Sequence, residues 1–140
     1  MKKIALVACV SKKHARPLPA GRLYTSPWFA KASAYARRNA DVWYILSAKH
    51  SLLDPGQVIE PYNQTLNTMP AAERRAWAER VSAELGKILK PTEIVIVLAG
   101  QRYREHLVGP IRSMGCRLEI PMEGLPIGKQ LQWLKRELGG

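Results

Sequence analysis

The sequence predicts a single-domain α/β fold over residues 1–140: a three-layer sandwich with a mostly parallel four-stranded sheet and helices on both faces. Three observations carry the prediction. Several short runs are almost continuously apolar, as strands covered on both faces must be. Segments of helical periodicity lie between them. Each apolar run gives way to polar or glycine-bearing residues, the usual composition where strands of a parallel sheet end.

The first strand is expected over 4–10, IALVACV. The loop 11–25 follows. In SPWFAKASAYARRNA, Ser26 has the chemistry of an N-cap and Pro27 suits the first helical position. A second strand is expected over 42–47, VWYILS, and a second long loop over 48–69. Loops of that length in a compact domain are often functional. The next helix runs from Pro70, after the capping types Asn67 and Thr68, with Trp77, Val81, Leu85 and Ile88 on one stripe. A third strand, 93–100, precedes a helix carrying Tyr103 and Leu107 on one face, interrupted at Gly109-Pro110 and stopped at Gly115. A fourth strand, 117–121, alternates in polarity and is expected near an edge. The last helix places Leu131, Leu134 and Leu138 on one side, with Gly128 as a cap.

Hydrophobic residues make up 46% and charged residues 24%, which excludes a disordered chain. The net charge is +11, which reads either as a soluble basic surface or as attraction for an anionic partner, nucleotide or nucleic acid; the second is the expectation carried forward. Residues 1–40 hold nine Lys and Arg and no carboxylate before Asp41. No apolar run approaches the roughly 20 residues of a membrane helix. The N-terminus lacks a small-residue cleavage site, so it reads as a strand of a cytoplasmic protein with no membrane partner. The two cysteines make no disulfide framework. Three histidines and two cysteines show no ligand spacing, so no metal and no cofactor are expected. Oligomeric state is not legible.

If the strands are parallel, their carboxyl ends deliver four polar groups to one edge. The first is Cys9, Ser11 and Lys12, beside Lys13. Nearby cations favour a thiolate nucleophile, while a cysteine at a strand end is also a common small core residue; both readings stand. Lys12 and Arg22 suit phosphate, and Tyr24 and Ser26 lie where a helix N-terminus offers free N–H groups. The second group is Ser47, Lys49 and His50. Crowded cations depress one another's pKa, which suits His50 or Lys49 to proton transfer near neutrality. Glu60 and Tyr62 return a carboxylate and a phenol to the same edge. The third group is Gly100, where backbone can approach a ligand, and Tyr103. The fourth is Glu123 and Gly128. No phosphate-binding P-loop pattern is present.

The motifs Cys9-Val-Ser-Lys-Lys, Leu23-Tyr24-Thr-Ser26-Pro27, Ser47-Ala-Lys49-His50, Leu52-Leu53-Asp54-Pro55, Ile59-Glu60-Pro61-Tyr62, Leu98-Ala-Gly100 and Gly124-Leu-Pro-Ile-Gly128 resemble those of a widespread bacterial and phage family of uncharacterised small domains. That resemblance implies an α/β fold and a site at these positions. It also implies glycine at position 51, where this chain has serine. Over residues 47–62 the spacing of Ser47, Leu52, Leu53, Pro55, Ile59, Pro61 and Tyr62 is similar to the YaaA peroxide-stress proteins, which are associated with DNA binding and protection from oxidative damage. A fainter likeness is to the lysine-transferring domain of archaeosine synthase, whose Pro-Cys-x-x-Lys-Pro-Tyr-x-x-Ser motif falls on Cys9 and Lys12. Ala8 stands in place of the proline, and tyrosine and serine come later, at Tyr24 and Ser26.

The expected function is modification of a nucleobase, nucleotide or nucleic acid, by base modification or glycosidic-bond cleavage. Cys9, Lys49, His50 and Glu60 form the candidate catalytic set. Ser11, Lys12, Arg22, Tyr24, Ser26, Ser47, Tyr62, Gly100, Tyr103, Glu123 and Gly128 form the candidate binding set. The alternatives are a non-catalytic DNA- or RNA-binding protein and a small-ligand-binding module.

Overall fold

A computed structural model describes residues 2–9 and 13–139. Strand β1 (Lys3–Ala8) is buried from Ile4 onward and forms the middle of a five-stranded sheet. A two-residue strand β2 (Leu18–Pro19) leads into the single turn α1 (Ala20–Leu23) and then α2 (Pro27–Asn39). Ser26 does cap α2: its Oγ accepts a hydrogen bond from the Phe29 N–H at 3.1 Å. Strand β3 (Val42–Ser47) turns back at once into β4 (Ser51–Leu53), and β5 (Val58–Ile59) pairs antiparallel with β2 as a separate two-stranded patch. A 3-10 turn (Leu66–Thr68) precedes α3 (Ala71–Ile88). Then come β6 (Ile94–Leu98), α4 (Gln101–Arg104), α5 (Val108–Ser113), β7 (Arg117–Glu119) and α6 (Ile127–Glu137).

The sheet order is β4-β3-β1-β6-β7. The four expected strands run parallel, and β4 is antiparallel to β3, pairing Ser47 with Ser51 and Ile45 with Leu53. The sheet is therefore mixed and five-stranded rather than four-stranded. The additional strand lies where the sequence shows only the anchoring pair Leu52-Leu53, too short a run to display alternation. Strand β7, as its mixed polarity predicts, is an edge.

From β1 the chain crosses through α2 to β3 on one side, then returns through α3 to β6 on the other side. Right-handed crossovers in opposite directions put the two helices on opposite faces. Helix α6 packs on α2, while α4 and α5 pack on α3. Every residue of β6 is buried, as expected of a strand covered on both sides. The change of direction between β1 and β6 makes their carboxyl ends a topological switch point, where open α/β sheets leave a crevice.

Three local expectations are corrected. Helix α3 takes Pro70 as its N-cap, with no side-chain cap; Asn67 and Thr68 instead form the preceding 3-10 turn, whose Asn67 N–H reaches Thr65 Oγ1. The break after Tyr103 falls at residues 105–107, and Gly109-Pro110 sits inside the first turn of α5, where proline loses no intrahelical bond. The N-cap of α6 is Pro126, with Gly128 one residue inside the helix.

Ser51 adopts φ 61°, the left-handed region that glycine occupies without steric penalty. The position where glycine is expected thus keeps the glycine conformation while bearing a serine. Ser51→Gly is expected to leave stability unchanged or slightly raised. Ser51→Val, with a branched Cβ forced to positive φ, is expected to cost about 1–3 kcal/mol in urea titration.

Candidate active site at the sheet switch point

Cys9 follows β1 directly and is 4% exposed. Its backbone N–H continues the parallel ladder by donating to the Leu46 carbonyl at 3.2 Å, so the thiol is set by the sheet itself. Its Sγ lies 3.4 Å from the Tyr62 hydroxyl and 3.9 Å from the Tyr103 hydroxyl. The Tyr62 hydroxyl is also 2.6 Å from the Tyr24 hydroxyl and 2.7 Å from Ser47 Oγ. A phenol has one proton and two acceptor positions. Tyr62 therefore donates to one of these neighbours and accepts from others, forming the hub of a buried proton network. Tyr103 extends it to Thr65 Oγ1 at 3.4 Å and the Leu66 N–H at 3.4 Å.

Ser47, at the end of β3, is fully buried. Its Oγ accepts the His50 N–H at 3.0 Å, and its carbonyl accepts the indole N–H of Trp77 at 2.8 Å. Trp77 is buried on α3, so one core residue pins the strand end from which the network hangs. Burial raises the pKa of Tyr62, with negative charge at Cys9 and then Tyr24 adding to it. Tyr24 is raised by burial and then by Cys9. Tyr103 is pushed up to about 12, again by burial first and Cys9 second. The three phenols are therefore proton donors throughout the physiological range.

Lys13 Nζ stands 4.5 Å from the Tyr62 ring centroid and 5.5 Å from that of Tyr24, placing a cation over the aromatic faces. Burial lowers the Lys13 pKa, with charge at Cys9 opposing that shift. His50 is half-buried, with its ring edge-on to Tyr62 at 5.5 Å. Burial, then the like charge of Lys49, lowers its pKa from 6.5. A histidine held neutral in the fold takes up its proton more readily when unfolded. Its contribution is present above about pH 6.5 and fades as the pH falls below that value. Lys49→Met is accordingly expected to raise the His50 titration midpoint followed by NMR. The wild type should lose more melting temperature than His50→Gln between about pH 7.5 and 5.5.

A cavity of about 240 Å³ opens at this point, between the carboxyl ends of β1 and β6. Ala8 and Cys9 border it from β1, Gly100 and Tyr103 from β6 and α4, Thr65 and Asn67 from the long loop, Trp28 from α2, and Ile127 and Gln130 from α6. The Trp28 indole N–H donates to Gln130 Oε1 at 2.9 Å, and Gln130 Nε2 donates to the Leu125 carbonyl at 2.7 Å. The amide that forms this wall is thus fixed at both ends.

Residues 4–136 match DUF6884, a family of unknown function. The chain belongs to this family. A similar protein is YfjM of Bacillus subtilis (strain 168), itself described as uncharacterized, which is 32% identical over 150 residues covering 97% of this chain and 95% of its own. No solved structure matches. The DUF6884 match takes in every residue bordering the cavity.

In this DUF6884 chain the expected site residues divide into groups. Cys9, Tyr24, Ser47, Tyr62 and Tyr103 converge in the buried network, with His50 against it. Gly100 borders the cavity and is the N-cap of α4. Lys49 is exposed and lines a different hollow, beside α3, with Gln64, Glu73 and Arg80. Glu60, Arg22, Glu123 and Gly128 are exposed and do not border the cavity. The Ser26 hydroxyl is taken up by capping. Ser11 and Lys12 lie outside the described residues. Trp28, Thr65, Asn67, Ile127 and Gln130 were not signalled as site residues by the sequence. The only cues were the length of the loop holding Thr65 and Asn67, and the position of Trp28 and Gln130 in first helical turns.

Among the described residues no helix is long and apolar enough to cross a membrane, and no group of three His, Cys, Asp or Glu side chains gathers. Cys9 and Cys116 are both free and buried.

Proposed function

We propose that this protein is an enzyme acting on a nucleobase or nucleotide bound in the switch-point cavity. The observation that carries the reading is the Cys9 thiol bordering that cavity in contact with two protonated phenols. Sulfur adds to an electron-poor ring carbon, forming a C–S bond as the adjacent C=N π bond opens. Tyr103 gives its hydroxyl proton to the ring nitrogen and receives the sulfur's proton in its place, so that the thiol has added across the C=N bond. Negative charge developing on the ring meets O–H donors already in place. Trp28 and Tyr103 supply aromatic surface for a planar ring, and the net charge of +11 favours an anionic ligand. The resemblance of the 47–62 spacing, Ser47 and Tyr62 included, to that of YaaA proteins suits this reading. We place the protein in the cytoplasm, where free cysteines stay reduced.

The test is a melting-shift screen of nucleobases, nucleosides and nucleotides. A ligand at about 100 times its dissociation constant adds about 2.7 kcal/mol, a rise of several degrees. Cys9→Ser is expected to keep that rise and lose any chemical conversion of the ligand followed by mass spectrometry. If no compound in the panel shifts the wild type, the reading fails.

A second reading rests on the exposed cations Lys2, Arg16, Arg22, Arg37 and Arg38 in the N-terminal third. These suit a non-catalytic nucleic-acid binder. Duplex binding that collapses with salt yet survives Cys9→Ala and His50→Ala favours it.

A further inference from the structure

The cavity over Cys9 does not end at Gly100 and Gln130. Those two residues also border a second cavity of about 360 Å³, which continues past them to Gln101, Arg104, Met122 and Gly124. The two halves differ in chemistry. Among the described residues no ionised Lys, Arg, Asp or Glu side chain borders the first, which presents Trp28, Tyr103 and the carboxamides of Asn67 and Gln130. Among the described residues the second is bordered by one charged side chain, Arg104, and by no carboxylate. The guanidinium of Arg104 is held in place by donating to the Ala99 carbonyl at 2.9 Å, which leaves further N–H donors on the same fork. Among the described residues no ion pair engages it, whereas its neighbour Glu105 pairs with Arg74.

Two other hollows mix charges of both signs. One has Arg75, Glu79 and His106, and the other has Lys49, Glu73 and Arg80. Neither favours an anion as the Arg104 cavity does.

Gly100 marks the passage between the halves. Its φ is −69°, available to any residue, and a Cβ built there meets nothing within 4 Å. The fold itself does not call for glycine at this position, and the space above it is open. The first cavity alone is smaller than the roughly 300–1,000 Å³ of ordinary small-molecule sites, and the two together reach that range.

We infer that the cleft takes a two-part ligand, a free nucleoside monophosphate, with its base over Cys9 between Trp28 and Tyr103 and its phosphate beside Arg104, passing over Gly100. This rests on the nucleobase reading above and adds to it the ligand's second half and the residues that select it. Arg104 acts here as a binding and specificity residue rather than a catalytic one.

The experiment compares dissociation constants of nucleosides, their 5′-monophosphates and a short single-stranded oligonucleotide for the wild type, Arg104→Met, Gln101→Ala and Gly100→Val. A charge-assisted contact to phosphate supports an advantage of about tenfold or more for the monophosphate over its nucleoside. Arg104→Met is expected to erase that advantage while leaving nucleoside affinity unchanged. Gly100→Val is expected to weaken the monophosphate about tenfold without lowering the melting temperature. Gln101→Ala, an exposed substitution, gives a smaller loss in the same direction and serves if Arg104→Met fails to fold. Equal affinity for nucleoside and monophosphate overturns the inference and leaves the base site standing. Dependence on Arg104 seen only with the oligonucleotide overturns it in favour of a strand. Binding by none of the compounds removes the nucleobase reading and this inference together.

Discussion

Tyr62→Phe is expected to lower folding stability by about 3 kcal/mol, a large loss for the removal of a single oxygen atom. The ring remains, so packing against Tyr24 and His50 is kept. What disappears is the hydroxyl that Tyr24, Ser47 and Cys9 all meet. Each buried polar group left without a partner costs about 1–3 kcal/mol, and partial re-pairing among the survivors keeps the total below the sum. Tyr24→Phe removes an end of the same chain rather than its centre and is expected to cost about 1 kcal/mol. Because the two hydroxyls touch, the double variant should cost less than the two single losses added. Urea denaturation of the three variants checks this. A Tyr62→Phe loss within about 0.5 kcal/mol of zero contradicts the hub assignment. The same substitution takes one of the two phenol hydroxyls from beside Cys9, so conversion of any ligand should fall even where binding persists.

Trp77→Ala is expected to be more damaging still. The side chain is 1% exposed at the centre of α3, and truncating a buried tryptophan costs about 3–5 kcal/mol. The Ser47 carbonyl loses its indole donor as well. Against a typical total stability of about 5–15 kcal/mol, this brings the protein close to unfolding. Trp77→Phe separates the two contributions: most of the volume stays, and the N–H is gone. That variant should fold, lose about 1–3 kcal/mol, and shift the amide resonances of Ser47 and His50 ahead of those elsewhere on the sheet. Wild-type stability in Trp77→Phe would show that the indole bond does not pin the strand end.

The sheet was readable because burial on both faces leaves so little polarity in IALVA and IVIVL. The edge strand β4 was not readable: three residues display no period, and its pairing depends on a turn that Ser51 closes at positive φ. The break between α4 and α5 was misplaced because glycine and proline, read as interrupters, are tolerated in a first helical turn. For the candidate site, strand ends pointed to the edge where the cavity and the buried hydroxyl network lie. They did not predict which side chains turn inward. Lys49 and His50 are neighbours in sequence, yet one is exposed beside α3 and the other lies against Tyr62. Tyr24, Tyr62 and Tyr103 reach Cys9 or one another across separations of 38 to 94 positions. Those meetings follow from the order β3-β1-β6, which local sequence does not encode. Gln130 was not among the candidate site residues for the same reason: its partner Trp28 is 102 residues away.

The central claim is that a nucleotide binds at the switch point, and the indole N–H resonances test it most directly. The chain has four tryptophans, and only Trp28 borders the cavity, its N–H on Gln130. Titration with a nucleoside monophosphate is expected to move the Trp28 signal first and furthest, with Trp77 responding weakly through Ser47 and Trp43 and Trp133 still. A Trp28 resonance that stays in place while the nucleotide saturates the protein, or while other indoles shift, contradicts the account.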